Sequence, residues 1–150
     1  PVQDYQVVLG KFLSALTILA VMVALTGYYA IILFIYGDPD AGPLLSGYLG
    51  LFLLGAGFLA VGVFASSMTS NQIVAAVVTF GILLLMWVIN SAGGLFSGMP
   101  QEIVDYLSPP THFRDFAFGV IDTKDVVYFL SMAAAFLLFT VQSVSARRWR

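Results

Sequence analysis

The feature that most constrains this chain is residues 44–89, which contain no charged side chain. They form two apolar segments, 44–65 and 73–89, joined by the polar turn Ser-Ser-Met-Thr-Ser-Asn-Gln. As a helix, the first segment would extend roughly 33 Å, enough to cross a hydrocarbon layer of about 30 Å, and the second is just long enough to return. Backbone polar groups inside lipid must be hydrogen-bonded within each segment. The pattern therefore predicts an antiparallel transmembrane hairpin.

Composition and two further apolar runs extend this prediction to the whole chain. Hydrophobic residues make up 60% of the chain and charged residues 9%, which excludes an ordinary soluble domain and a disordered chain. We predict an all-α polytopic bundle, a single transmembrane domain with spans at 12–35, 44–65, 73–89 and 126–144. Because the sequence begins with Pro1 and no signal pattern precedes the first span, we expect the C-terminal part of a longer chain.

The 90–125 insert has helix signals of its own. A first short helix is expected at 100–107, ended by a Ser-Pro-Pro sequence, and Thr111 is expected to cap a second with Phe113 and Phe116 on its apolar face. Neither helix is long enough to cross a membrane. We expect two outer-leaflet or re-entrant helices between the third and fourth spans.

Small residues suggest that the second span lies inside the bundle. Several of them recur at a spacing that lets helix backbones approach closely in lipid. The predicted helix-packing face consists of Ser46, Gly50, Gly55, Gly57 and Gly62.

The distribution of charge predicts the orientation. Lys11 and the three C-terminal arginines flank one side of the four spans, whereas seven of the eight acidic residues fall on the other side. Cytoplasmic flanks of spans are enriched in Lys and Arg, so both termini of this chain are expected to be cytoplasmic. On the opposite side, Asp122 or Thr123 is expected to cap the last span, with Asp125 in its first turn.

Catalytic signals are weak. His112 is the only histidine, and Asp115 and Ser97 nearby in sequence raise the possibility of a catalytic triad, but the glycines around Ser97 do not match the Gly-x-Ser-Gly pattern of rhomboid-like proteases. An interface histidine on a short amphipathic helix is the favoured interpretation. With one histidine and no cysteine we expect no metal site, and without a phosphate loop no bound nucleotide or other cofactor.

The spans also lack the groups that ion-coupled carriers need. None of the four predicted spans contains an ionisable residue, and such residues at membrane depth are usually functional. Any transport by this chain would therefore draw its energy from a partner.

Three stretches together resemble the ABC-2 type permease family, with the gliding-motility-associated branch as the most similar part. They are Val-Leu-Gly-Lys-Phe at 8–12, Phe-Ala-Ser-Ser-Met-Thr-Ser-Asn-Gln-Ile-Val-Ala at 64–75 and His-Phe-Arg-Asp-Phe-Ala-Phe-Gly-Val-Ile-Asp at 112–122. The resemblance covers essentially the whole chain. It implies spans three to six of a six-span, non-enzymatic permease subunit in the bacterial cytoplasmic membrane, paired with a second permease subunit and with ABC ATPase subunits.

The resemblance also implies where partners and external elements lie. The family's coupling helix would be just upstream, so the ATPase-coupling side is expected to include Pro1, Gln3, Asp4, Gln6, Asn71 and Gln72. The external half-helices are expected to include His112, Phe113, Arg114 and Phe116. The leading hypothesis is an ATP-driven exporter subunit; a non-transporting membrane scaffold and an intramembrane enzyme are the alternatives. No nucleic-acid partner is expected, and the substrate stays open.

Overall fold

The computed structural model describes residues 2–92 and 101–148, and within these ranges the chain forms six α-helices and no strand. The helices are α1 (Asp4–Tyr36), α2 (Ala41–Ser67), α3 (Gln72–Ala92), α4 (Gln101–Leu107), α5 (Pro109–Ala117) and α6 (Thr123–Arg148). The predicted all-α fold, with four long helices and two short ones before the last, is confirmed.

The long helices α1, α2, α3 and α6 are each apolar enough to cross a membrane, with mean hydropathies of 2.5, 2.2, 2.5 and 1.8 over their most apolar stretches. The chain is therefore a multi-pass membrane protein. Each helix extends beyond the apolar run that predicted it because polar residues extend or cap its ends. At the start of α1, for example, the Gln6 side chain accepts a hydrogen bond from the backbone N–H of Gln3 at 3.1 Å.

The second span lies at the centre of the bundle. Helix α2 contacts α1, α3, α5 and α6, and its contact with α6 is the most extensive in the described part of the chain. Leu53 and Val61 of α2 form the main core with Phe116 of α5 and Phe129 of α6. Helix α1 lies outside this core, and no residue of its most apolar stretch is buried.

The alternating direction of the spans gives the bundle two ends of opposite charge. We call the end formed by the α1–α2 connection, α4, α5 and the start of α6 the acidic end, because it contains most of the aspartates. The other end, formed by the start of α1, the α2–α3 turn and the end of α6, contains Lys11 and Arg147 and is called the basic end.

The start of α5 corrects one prediction. Thr111 is not an N-cap, because α5 begins at Pro109 and Ser108 occupies the capping position. The first turn of a helix does not use its backbone N–H groups for intrahelical bonds, so both prolines fit there. The helix ends at Ala117, and Gly119 follows with a φ of 89°, a left-handed conformation that glycine adopts without strain.

Candidate functional site

A cavity of about 710 Å³ opens at the basic end, between α1, α2, α6 and the α2–α3 turn. Its polar lining consists of two cations and five hydroxyl side chains, and the rest is apolar or glycine. The polar lining residues are Lys11, Ser66, Ser67, Thr69, Ser70, Thr140 and Arg147. The apolar lining includes Val7, Val8, Leu59, Val63 and Val144. The cavity lining is therefore amphipathic, because it combines positive charge and hydrogen-bonding groups with apolar side chains.

The cations of this cavity have no ion-pair partner within the part of the chain that the structure describes. Lys11 and Arg147 are both exposed, and neither lies within ion-pairing distance of a described carboxylate. Beside the cavity, Ser145 Oγ donates a hydrogen bond to Asp4 Oδ2 at 2.9 Å, which joins the end of α6 to the start of α1. The basic end thus presents positive charge that an external group can meet.

The residues predicted on the ATPase-coupling side adjoin this cavity in sequence. Gln6 directly precedes the lining residue Val7, and Asn71 directly follows the lining residue Ser70. Gln3, Gln6, Asn71 and Gln72 are exposed and Asp4 is half-buried, whereas Pro1 lies outside the described residues. Gln6 and Asn71 thus each adjoin in sequence a residue that lines the same cavity.

Asn71 has a structural role that its sequence position alone did not reveal. Its Oδ1 accepts a hydrogen bond from the Ile73 backbone N–H at 2.9 Å, which makes it the N-cap of α3. Its own backbone N–H donates to Thr69 Oγ1 at 3.1 Å. Any test of Asn71 as a partner contact must therefore preserve the cap.

A buried histidine–aspartate pair lies at the acidic end. His112 Nδ1 is 2.6 Å from Asp125 Oδ1, and the two side chains are 5% and 1% exposed. His112 Nε2 lies 2.7 Å from the backbone carbonyl oxygen of Tyr106. Because a carbonyl only accepts hydrogen bonds, Nε2 carries a hydrogen, and the Nδ1–Oδ1 contact holds one further proton shared between the two groups. The pair is therefore electrically neutral as a unit.

Aromatic rings enclose this pair. The ring of Tyr128 stacks on the His112 imidazole with centroids 3.9 Å apart, and Tyr106 meets the imidazole edge-on at 5.5 Å. Tyr128 Oη donates to the Leu107 backbone carbonyl at 2.7 Å. The last carbonyls of a helix have no intrahelical partner, so His112 and Tyr128 supply donors to the C-terminal end of α4. The cluster fastens α4, α5 and α6 together.

This arrangement corrects the predicted partner of His112. The histidine is buried, and its carboxylate partner is Asp125, 13 positions away, instead of Asp115. Ser97, the third member of the triad considered, lies outside the described residues. The available signal was Asp125 itself, an ionisable residue in the first turn of an otherwise apolar helix, where a buried position requires a partner. The prediction that Asp122 or Thr123 caps α6 is confirmed, since Asp122 Oδ1 accepts from Lys124 N at 3.1 Å.

The other predicted external-helix residues differ in their surroundings. Phe116 is fully buried against α2 and lies near Phe129, with ring centroids 6.3 Å apart. Phe113 is half-buried and packs against the main core, whereas Arg114 is exposed. Helix α5 therefore faces α2 and α6 with its aromatic side and leaves its charged side open.

The small residues of α2 lie on two sides of the helix. At 3.6 residues per turn, Ser46, Gly50 and Gly57 fall within about 40° of one another, and Gly55 and Gly62 fall roughly opposite. The first group includes contacts with α5 and α6, since a Cβ at Gly50 would be 2.5 Å from Phe116 Cβ and one at Gly57 would be 3.2 Å from Met132 Sδ. The second group faces Leu19 of α1 and Thr79 of α3. Ser46 is buried, with no hydrogen-bond partner for Oγ among the described residues.

Comparison with protein-family models, with curated proteins and with solved structures gives no match. The function has to be inferred from the sequence and from the two ends of the bundle.

Proposed function

We propose that this chain is a membrane-spanning permease subunit of an ATP-binding-cassette exporter of the ABC-2 type, driven by a separate ATPase subunit. The observation that carries this proposal is the cavity at the basic end, bordered by both segments that the resemblance assigns to ATPase contact. A partner that reaches into this recess would touch α1, α2 and α6 together. When the partner moves on ATP binding, it would displace these three spans together. This displacement would shift the bundle between two conformations.

The charge distribution supports an external energy source. The only charged residues of the four long helices lie near their ends: Asp4, Lys11, Lys124, Asp125, Arg147 and Arg148. The buried pair of His112 and Asp125 is neutral and is hydrogen-bonded to α4, so it occupies the acidic end instead of the middle of the bundle. Proton or sodium coupling normally uses ionisable groups at membrane depth. We therefore assign the energy input to ATP hydrolysis in a partner.

The proposed orientation places the basic end in the cytoplasm of a bacterium and α4 and α5 on the outer side of the cytoplasmic membrane, following the positive-inside rule. The outer faces of α1 and α3 carry many exposed large apolar side chains. They include Ile18, Met22, Leu25, Tyr28, Tyr29, Val77, Phe80 and Leu85. We assign these faces to lipid and to the second permease subunit, in a homo- or heterodimer.

Purification of the tagged full-length protein from its native membrane, followed by reconstitution in liposomes, tests the proposal. We expect an ATPase subunit with a phosphate loop to co-purify in stoichiometric amount, and ATP hydrolysis by the complex to depend on the permease. Asn71→Ser with Gln72→Ala, which keeps a capping side chain on α3, should weaken this association several-fold. Asp38→Asn, an exposed change at the acidic end, is the control and should leave it unchanged.

Two results would overturn the proposal. One is a purified protein that has no ATPase subunit and forms only a scaffold for other membrane proteins. The other is movement of solute driven by a pH gradient alone in liposomes that contain no ATPase subunit.

A further inference from the structure

Asp125 has one carboxylate oxygen that its histidine partner leaves unsatisfied. Oδ1 is paired with His112, whereas Oδ2 is buried and has no hydrogen-bond donor among the described residues. A buried carboxylate oxygen without a partner is costly, since it has lost its water and gained nothing in return. The position of Oδ2 therefore requires an explanation beyond the histidine–aspartate pair.

Two further carboxylates converge on Asp125. One carboxylate oxygen from each of Asp115, Asp122 and Asp125 lies within 4.8 Å of the other two. The side chain of Asp115 is within hydrogen-bonding reach of the Asp125 carboxyl. Because Oδ1 of Asp125 is already paired with His112, we infer that Oδ2 is the oxygen that faces this cluster. When all three groups are ionised their oxygens only accept hydrogen bonds, so the three groups then provide no donor for one another.

The cationic side chains nearby do not balance this cluster. The pair of His112 and Asp125 is neutral as a unit, which leaves the two negative charges of Asp115 and Asp122. Lys124 Nζ is 4.0 Å from Asp122 Oδ2, and its side chain is 64% exposed, so water screens it. Arg114 on α5 is exposed as well. The carboxylates of Asp115 and Asp122 therefore face one solvent-screened lysine and no buried cation among the described residues.

We propose that Asp115, Asp122 and Asp125 bind one divalent cation at the acidic end. Carboxylate oxygens are the ligands of hard cations, and Asp115 and Asp122, both half-buried, leave room for water to complete the coordination. The irregular connection between α5 and α6 suits the flexible geometry of Ca²⁺ better than the octahedral demand of Mg²⁺. His112 would not be a ligand but a positioning residue, since it holds the carboxylate of Asp125 from the opposite oxygen.

This site differs from the expectation that the chain binds no metal, which considered only histidine and cysteine ligands. It does not depend on the proposed transport function. Its consequence is structural: the cation would join the C-terminal part of α5 to the first turn of α6, and would bind only when both helices are in place.

Thermal unfolding of the purified full-length protein, first stripped with a chelator, tests the site. Addition of CaCl₂ should raise the melting temperature by at least about 5 °C at a concentration well above the dissociation constant, because ligand binding to the folded state stabilises it. Choline chloride at the same ionic strength controls for screening. Equilibrium dialysis should find one Ca²⁺ per chain.

Two asparagine variants make the test specific. Asp122→Asn removes a ligand charge but keeps a good N-cap for α6, so the protein should fold and lose the response to Ca²⁺. The Asp115→Asn protein should also lose the response to Ca²⁺. Asp40→Asn is the matched control, because Asp40 caps α2 at the same end of the bundle but lies outside the cluster, and this variant should respond as the parent does.

The outcomes decide the proposal. No response of the parent protein to Ca²⁺, Mg²⁺ or Mn²⁺ would overturn it. An equal response in the parent and in Asp122→Asn would also overturn it, since the effect would then come from elsewhere on the protein. A parent protein that is indifferent to these cations but is stabilised by Asp122→Asn would show that the carboxylates repel one another with no cation between them, which again contradicts a cation site.

Discussion

The two ends of the bundle handle their polar groups in opposite ways. At the acidic end, His112 and Asp125 are buried, bonded to each other and to the backbone of α4, and covered by aromatic rings. At the basic end, Lys11 and Arg147 are exposed and line an open cavity. The acidic end is therefore held together by its own side chains, whereas the basic end leaves charge and hydroxyl groups available to an external partner.

This difference suggests a division of labour between the ends. Buried, paired groups stabilise a fixed arrangement, because separating them exposes an unpaired charge to an apolar environment. Exposed charges contribute little to stability but can be used in recognition. We therefore expect substitutions at the acidic end to change stability, and substitutions at the basic end to change association with the proposed ATPase subunit.

The largest effect is expected at the buried pair. His112→Ala leaves the Asp125 carboxylate buried without its partner and removes a donor from the Tyr106 carbonyl, so the free energy of unfolding should fall by about 3–5 kcal/mol. Arg147→Ala at the basic end should change it by less than about 0.5 kcal/mol. Thermal or denaturant unfolding in detergent measures both. Arg114→Ala, an exposed change on α5, controls for the removal of charge at the acidic end. If His112→Ala and Arg147→Ala lowered the free energy of unfolding equally, the proposed contrast between the ends would be wrong.

The packing of α5 on α2 gives the next largest effect. A Cβ at Gly50 would lie 2.5 Å from Phe116 Cβ, an atom fixed to the α5 backbone, so Gly50→Ala should force α5 outward and cost about 1–3 kcal/mol. At Gly55 the obstacle is the end of the flexible Leu19 side chain, and Gly55→Ala should cost less. Gly81→Ala is the control, because a Cβ there meets nothing within 4 Å. The expected order of lost stability is Gly50→Ala, then Gly55→Ala, then Gly81→Ala. A different order in unfolding experiments would contradict the close packing of α5 on α2.

The smallest effect on stability is expected in the α2–α3 turn. Asn71→Ala should lower the free energy of unfolding by about 1 kcal/mol through loss of the α3 cap, whereas Asn71→Ser should keep most of it. Gln72→Ala, which removes an exposed side chain, should be neutral for stability. Unfolding combined with an ATPase-binding assay separates the two roles of the turn. If Asn71→Ala and Asn71→Ser both bound the ATPase as the parent does, the only role of Asn71 would be to cap α3.

The spans and their order could be predicted from the sequence because a helix that crosses a membrane needs an apolar run of a minimum length, which is visible in the sequence. Uncharged runs identified all four long helices, and turn residues such as Asp122 identified their ends. The start of α5 was misjudged because proline ends a preceding helix and also begins a following one, and only the backbone reveals which applies.

The buried cluster was not predictable in the same way. His112 and Asp125 are 13 positions apart and belong to different helices, so no periodicity connects them. Their contact depends on how α5 folds back onto α2, which in turn depends on Phe116 packing against Gly50. The small residues of α2 indicated that other helices pack closely against it. They did not indicate that α5 and α6 lie on one side of α2 and α1 and α3 on the other. The cavity at the basic end likewise forms only when three separate segments meet.

In the proposed function, the basic end faces the cytoplasm and binds an ATPase subunit. The 150 residues contain no cysteine, so a single cysteine at Ser70, exposed on the cavity rim, or at Asp38, exposed at the acidic end, reports on one end alone. The measurement is the labelling rate of each position by a membrane-impermeant maleimide, in whole cells and in inside-out vesicles with and without the ATPase subunit. The account predicts labelling at position 38 only in whole cells, and at position 70 only in inside-out vesicles, slowed several-fold by the ATPase subunit. Labelling of position 70 from outside whole cells, or a rate at that position that the ATPase subunit leaves unchanged, would contradict it.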